Sequence, residues 1–380
     1  METTTITHLL QDTSLSKEMK TIADKVLHNE RINAAEGLLL YESGELGFLG
    51  ALSNFVREKK NGNYVYFNRN FHIEPTNICV YNCKFCSYRR RKDEAGSWDN
   101  SIEEILAKVQ QYKHLAVTEV HIVGGVHPNR DVYYYGELIQ EIKKIIPEIH
   151  VKAFTAVELE FMIRKAHISL KEGLLVLKNY GLDSIPGGGA EIFNEEIRKQ
   201  VCHEKSSSNM WLEIHELVHQ LGIPSNATML YGHLENYEHR IDHLLKLRNL
   251  QDRTKGFNTF IPLKFRKANN NLAHIGEVNT YEDLKNYAVS RIFLDNFDHL
   301  KAYWPMIGKK VTQLSLSFGV DDIDGTIDDS TKIYSMAGAE DNKPAMNTVE
   351  LTKLVKNTGR VAVERDTLYR IIKKYDEQSE

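Results

Sequence analysis

The stretch from Asn70 to Arg90 reads NFHIEPTNICVYNCKFCSYRR and holds three of the chain's four cysteines, Cys79, Cys83 and Cys86, in the spacing C-x3-C-x2-C. Its lead-in, Phe71 to Glu74, is a short apolar run of the kind that forms a strand. The thiols that follow lie too close together for a core and have no partners for a disulfide framework, so they read as ligands of one soft inorganic group. Three thiolates from one loop fit a [4Fe-4S] cube and leave its fourth iron open to a substrate. The alternative, a zinc site, takes four ligands in paired half-sites, and only one half-site is present. Cys202, in RKQVCHEK, has no paired spacing and reads as a small buried hydrophobe, with distant ligation as the other option.

Working outward, short apolar or β-branched runs alternate with amphipathic stretches. The predicted strands are Phe71–Glu74, Glu119–Val123, His150–Ala153, Ser184–Ile185, Ser225–Leu230, Asn258–Pro262, His299–Tyr303 and Gln313–Ser317. Between them, Ser101–His114, Tyr134–Ile146, Leu174–Asn179, Asn209–Leu221, Tyr237–Gln251 and Tyr281–Asp295 read as helices, several opened by Ser, Thr or Asn. Eight strands alternating with helices predict an α/β fold, a (β/α)8 TIM-type barrel over residues 64–325; a doubly wound open sheet is the other option. Helical periodicity at Lys17–His28, Ala34–Glu42 and Gly44–Phe55 predicts an N-terminal helical cap over 1–63. A C-terminal helical extension over 326–380, with helices at Thr348–Lys356 and Arg365–Tyr375, follows the acidic stretch DDIDGTIDDS.

With Lys+Arg 48 against Asp+Glu 52, the net charge of -4 offers no general attraction to nucleic acid or to an anionic membrane. No apolar run approaches the roughly 20 residues that span a bilayer, and the first residues, METTTITHLLQDTSLSKEMK, lack a signal-peptide pattern. These features predict a soluble, cytoplasmic protein with a small-molecule partner.

In a barrel the residues just after each strand face the reaction. After the second run comes GGVHP, where Gly124 and Gly125 allow close backbone approach and His127 either faces the substrate or is a solvated loop residue. The third run ends in FTAVELE, where Thr155 and Glu158 contact a ligand or cap the next helix. The fourth enters GLDSIPGGGAEIF, a glycine-rich loop before a helix start suited to an anion or a ribose, with Gly188 and Glu191 as its contacts. Arg198, farther on, pairs with a carboxylate or with Glu195 on the surface. ATMLYGHLE brings Thr228, Tyr231, His233 and Glu235 to the rim. FIPLKFRK brings Lys264, Arg266 and Lys267, and the run Arg89–Lys92 either adds to this positive rim or is simply solvated.

The string C-x3-C-x-φ-C, with Phe85 as the aromatic φ, resembles the cluster motif of the radical S-adenosylmethionine (SAM) superfamily. The resemblance implies Cys79, Cys83 and Cys86 as ligands of a [4Fe-4S] cluster, SAM on the open iron, and Phe85 as shielding for the cluster or adenine. It also gives Gly124 and Gly125 a backbone role toward SAM; Val126 stands where that superfamily often has Glu. Together with VGGVHP, TAVE, DSIPGGGAEIF, TMLYGH and DDIDGTI, the motif is similar to the menaquinone and deazaflavin branch of the superfamily over about residues 40 to 370. Phe193 in the triple-glycine loop is most similar to the aminofutalosine synthase type within that branch, against the dehypoxanthine futalosine cyclase and deazaflavin F0 synthase types. What this implies is SAM used as a co-substrate, addition of a 5′-deoxyadenosyl radical to 3-[(1-carboxyvinyl)oxy]benzoate, and a one-electron donor such as flavodoxin or ferredoxin. The substrate's two carboxylates call for cations or donors, and His127, Arg198, His233 and Arg266 are the candidates.

Overall fold

The computed structural model describes residues 15–326, 332–338 and 345–376. Residues 1–14 and most of the acidic stretch after Gly325, residues 327–331, lie outside the described residues. Three helices come first: α1 (Lys17–Leu27), α2 (Ala34–Ser43) and α3 (Leu46–Asn61). Then follow β1 (Tyr64–Phe67), β2 (Asn70–Ile73), α4 (Ile102–Gln110), β3 (Glu119–Ile122), α5 (Val132–Ile145), β4 (His150–Ala153), α6 (Ala156–Lys165) and α7 (Leu170–Tyr180). The middle of the chain gives α8 (Glu195–Cys202), α9 (Ser208–Gln220), β5 (Ser225–Tyr231), α10 (Tyr237–Thr254), β6 (Phe257–Lys264), α11 (Thr280–Phe293) and β7 (His299–Ala302). The last elements are α12 (Trp304–Ile307), α13 (Lys309–Ser315), β8 (Asp322–Ile323), α14 (Lys332–Met336), α15 (Thr348–Lys356), β9 (Val361–Arg365) and β10 (Ile371–Tyr375).

Strands β2, β3 and β4 pair in parallel in chain order, and β5, β6, β7 and β8 do the same. Two bridges, Lys152 to Ser184 and Ile185 to Ser225, join the two sets through the short predicted run Ser184–Ile185. Beyond β8, the Thr326 amide donates to Asn68 O at 3.2 Å, and its hydroxyl exchanges bonds with the Asn70 backbone at 3.2 and 2.8 Å. The strand order therefore closes on itself as an eight-membered ring. Strand β1 stands beside β8 on the outside and carries β9 and β10.

The helices begin where the sequence places capping residues. Ser101 with Glu104, Thr155 with Glu158, Ser169 with Glu172 and Asn347 with Glu350 each close a reciprocal capping box, satisfying donors that a helix start leaves free. Helix α2 reaches its neighbours through Gly37, where a Cβ would meet Phe293 at 2.6 Å and Ile241 at 2.8 Å, so the N-terminal helices lie against α10 and α11.

Two expected elements are corrected. Gln313–Ser317, predicted as the eighth strand, lies largely in α13, where Thr312 and Ser315 are buried one turn apart. The eighth strand is the two-residue Asp322–Ile323, whose acidic flanks read as a turn because their buried partners, Arg291, Arg365 and Lys301, come from elsewhere in the chain. Arg365–Tyr375, predicted as a helix, is the turn and second strand of the β9–β10 hairpin. The alternating run VAVER pairs with β1, Val65 opposite Ala362, and tertiary pairing decides over local propensity.

Candidate active site

The cysteine loop leaves β2 and is held by backbone bonds to three other parts of the chain. Cys79 N donates to Arg90 O at 3.1 Å, Val80 N to Val126 O at 3.0 Å, and Lys84 N to Val201 O at 2.8 Å. Cys86 N closes a turn onto Cys83 O at 3.1 Å. Gly124 and Gly125 serve this packing: a Cβ on Gly125 would stand 2.4 Å from Ile78 O, and one on Gly124 2.8 Å from Thr76 O. The close approach expected of a ligand is here made by the lead-in of the cysteine loop.

The Cys83 side chain is buried, and those of Cys79 and Cys86 are half-buried. Burial pushes the Cys79 and Cys83 thiols up, and each also lies in the field of Cys86. Backbone amides of Val126 and Tyr81 reach the Cys79 sulfur, the kind of donor that steadies a thiolate ligand. Among the described residues no three His, Cys, Asp or Glu side chains converge as the ligands of one metal ion would. Thiolates around an iron–sulfur cube need not do so, because each takes a different iron.

Lys205, which the sequence reading passed over, completes the surroundings of this loop. Its ammonium lies 2.7 Å from Glu191 Oε1 and 5.1 Å from the centre of the Phe85 ring. Although burial alone would lower its pKa, the fields of Cys83, Glu191 and Cys202 raise it, so the lysine is a fixed positive charge behind the loop. Only its place in the sequence, 119 residues past Cys86 but folded back onto it, hid this role.

The glycine loop after Ile185 is locked from below. Thr228 donates to Gly187 O at 2.6 Å, Trp211 Nε1 to Gly188 O at 3.2 Å, and Leu230 N to Glu191 O at 2.7 Å. Glu191 adopts a positive φ of 49°, which turns it toward the cavity. Arg198 is drawn into the same scaffold. Its guanidinium donates to the carbonyls of Ala190 at 2.5 Å, Ile192 at 3.4 Å and Ser206 at 2.5 Å, so it clamps the loop instead of facing a carboxylate. Phe193 stacks on His243 in the core at 3.9 Å.

Thr155 caps α6 and also lines the cavity. Glu158 accepts from Gly124 N at 3.2 Å and from Thr155 N and Oγ1 at 2.8 and 2.7 Å, tying the second and third strand ends together. Burial pushes its carboxyl up to about 7, against the opposing pull of these bonds.

Behind the loop a cavity of about 300 Å³ enters the barrel. Phe85, Cys86, Thr155, Gly188, Glu191 and Arg266 lie along it, together with apolar walls such as Ile261, Leu263 and Phe265. Two of the expected substrate contacts lie outside the residues that line this cavity. His127 Nε2 lies 3.3 Å from Asp99, its Nδ1 accepts from Asn129 N, and it does not line the cavity. His233 is buried, 3.3 Å from Glu235, and bonded to Leu230 O at 3.1 Å. Both sit in loops, His127 bonded to its own turn and His233 bonded through Nε2, with its Nδ1 beside Glu235 but making no hydrogen bond. In their place the strand interiors supply Glu119, His121, Lys152, Lys264 and Lys301 to the cavity. The available signal was a charged or polar residue inside otherwise apolar runs, EVHI, HVKA and HLKA, alternating with buried Val, Ile or Leu.

A parallel barrel whose first ring strand runs into a three-cysteine loop at the mouth of an interior cavity defines the radical SAM class. The family model of the Radical SAM superfamily matches residues 73–247, and that of the CofH/MqnC C-terminal region matches residues 254–376. The chain is 43% identical to an aminodeoxyfutalosine synthase of Thermus thermophilus over 93% of this chain and 96% of that protein. It is 39% identical to one of Streptomyces coelicolor, over 96% of each. Among solved structures, methylornithine synthase superposes with a TM-score of 0.72 at 16% identity, covering 89% of this chain and 96% of that one, a likeness of fold. The chain belongs to the radical SAM superfamily, in the family that carries the CofH/MqnC C-terminal region, and is an enzyme. Membership implies an iron–sulfur cluster and SAM. No described helix is long and apolar enough to cross a membrane.

Proposed function

We propose that the protein is a radical SAM transferase of menaquinone biosynthesis that joins a 5′-deoxyadenosyl group from SAM to 3-[(1-carboxyvinyl)oxy]benzoate, giving 6-amino-6-deoxyfutalosine with release of methionine, loss of the enol-ether carboxylate as CO2 or bicarbonate, and return of one electron. The observation that carries this reading is the 43% identity along nearly the whole length of a protein named aminodeoxyfutalosine synthase. In this reading Cys79, Cys83 and Cys86 would hold a [4Fe-4S] cluster and leave one iron open for SAM. Bound together and reduced by a donor such as flavodoxin or ferredoxin, they supply the 5′-deoxyadenosyl radical.

The chain's own residues then have three tasks. Phe85, packed over Lys205, separates the cysteine loop from bulk water, and Ile261, Leu263 and Phe265 keep the reacting space dry. Thr155, Gly188 and Glu191 line the side of the cavity next to the loop and receive the adenosine portion; Glu158 and Arg198 hold the loops that carry them. Arg266 stands near the rim as a partner for a substrate carboxylate; its Nε lies 3.5 Å from Glu277 without a hydrogen bond, and its other nitrogens reach Met306 O and Gly338 O.

The test is anaerobic reconstitution with iron and sulfide, followed by incubation with SAM, a reductant and the enol-ether benzoate. The expected product is an adenosine-containing adduct by mass spectrometry, and Cys83→Ala should lose both the cluster's visible absorbance and the product. Free 5′-deoxyadenosine alone, with dehypoxanthine futalosine cyclised instead, would overturn the reading in favour of the cyclase type.

A further inference from the structure

Three lysines in or beside the cavity have a carboxylate at close range: Lys152 with Glu119 at 2.7 Å, Lys205 with Glu191 at 2.7 Å and Lys264 with Asp283 at 2.8 Å. Lys301 does not. It is 3% exposed and lines the cavity, and among the described residues its nearest carboxylates are Asp324, to which it donates a long bond at 3.5 Å, and Asp322 at 3.8 Å. Asp322 is already held by Arg365 and Tyr369. Among the described residues the cavity lining also holds His121 Nε2, Asn70 Oδ1 and Asp324 Oδ2 buried without a hydrogen-bond partner, and of these His121 Nε2 is the one able to donate to an anion. A buried ammonium held this loosely leaves much of its desolvation uncompensated until an anionic oxygen joins it.

We infer that Lys301 anchors a carboxylate of the substrate at the floor of the barrel, at the far end of the cavity from the cysteine loop. The inference rests on the proposed function for the identity of the carboxylate, and it deepens that reading by naming a residue that binds it. With His127, His233 and Arg198 engaged by other parts of the chain, Lys301 below and Arg266 near the rim are, among the described cations that line the cavity, the two with no carboxylate closer than 3.5 Å (Asp324 and Glu277), and they are assigned to the two carboxylates of a benzoate that carries a second acid. The ring carboxylate is the one assigned to the floor, because the enol ether has to stay near the radical at the mouth. Lys152 flanks the site, and its ammonium retains N–H groups beyond the one engaged by Glu119.

The experiment measures binding of two small probes, 3-methoxybenzoate and 3-methoxybenzamide, by calorimetry on the reconstituted full-length enzyme. Lys301→Met is expected to weaken the benzoate roughly 10- to 100-fold, the range of a buried charge-assisted hydrogen bond, and to leave the benzamide unchanged. Equal loss for both probes, or no loss for the benzoate, overturns the inference. Asp324→Asn tests the opposite sign without removing the lysine: with the competing carboxylate neutralised, the benzoate should bind more tightly, and weaker or unchanged binding counts against the site. Adduct formation by the unaltered enzyme is scored separately, so a failed function and a failed subsite are told apart.

Discussion

At the mouth of the cavity, the polar groups that the sequence brings forward already have partners within the chain. His127 faces Asp99, Arg198 holds four backbone carbonyls, Glu158 accepts three bonds, and Glu191 pairs with Lys205. On the floor, Lys301 has among the described residues no carboxylate closer than Asp324 at 3.5 Å, and three polar atoms of the cavity lining are unpartnered. The difference follows from what each end has to do. Loops must be tied down before they can present a cluster and a nucleotide, and the tying uses up their donors and acceptors. A floor made of strand interiors is already rigid, so its charges can be left for a ligand.

The comparison can first be broken at Lys152, which sits on the floor but is paired. Burial pushes the Glu119 carboxyl up, but the attraction of Lys152 and Lys301 wins and holds it well below the usual carboxylate range. Lys152→Met leaves that carboxylate buried with Thr367 as its close remaining partner, and unfolding free energy should fall by about 3–5 kcal/mol. Replacing both partners, Lys152→Met with Glu119→Leu, should recover much of the loss. Denaturant titration decides the matter. If Lys152→Met is as stable as the parent, the pair is not the structural half of the floor, and the contrast with Lys301 fails.

These floor residues also mark where sequence reading stopped short. The cysteine loop, the glycine loops and most barrel strands were legible, because spacing and alternation are local properties. The eighth strand and the C-terminal hairpin were not, since Asp322–Ile323 and Val361–Arg365 depend on neighbours far along the chain. Lys301 and Lys152 were written in the sequence as lysines inside apolar runs. Only the ring of strands shows that they point to one cavity, and only distances show which of them is already paired.

Glu158 sharpens the comparison at the mouth. Its ordinary pKa of 4.5 is pushed up to about 7 by burial, despite bonds from Thr155 and Gly124. The folded chain therefore keeps a proton that the unfolded chain releases above pH 4.5. The resulting stability is full in acid and is lost as pH rises through about 7, on the order of 3 kcal/mol across that window. Glu158→Gln has no proton to lose, and its stability should vary less between pH 5 and pH 8 than that of the parent. Parallel slopes for the two proteins would mean that Glu158 is ionised throughout and that the mouth is held by charge.

The smallest effect is expected at His127, and it bears most directly on how the mouth is read. Its ring lies 3.3 Å from Asp99, but that carboxylate is also held by Arg130 at 2.7 Å, so removing the histidine leaves no charge stranded. The side chain also stands outside the residues that line the cavity. His127→Asn keeps a short polar group in the loop and should change kcat/KM for the enol-ether benzoate by less than about threefold, the scale of a partly exposed ion pair. A loss of a hundredfold or more in kcat, with the cluster intact, would place His127 against the reacting atoms. The mouth would then have to open during turnover far enough to bring a loop histidine inward, and the division between a self-satisfied rim and an unsatisfied floor would describe only the resting enzyme.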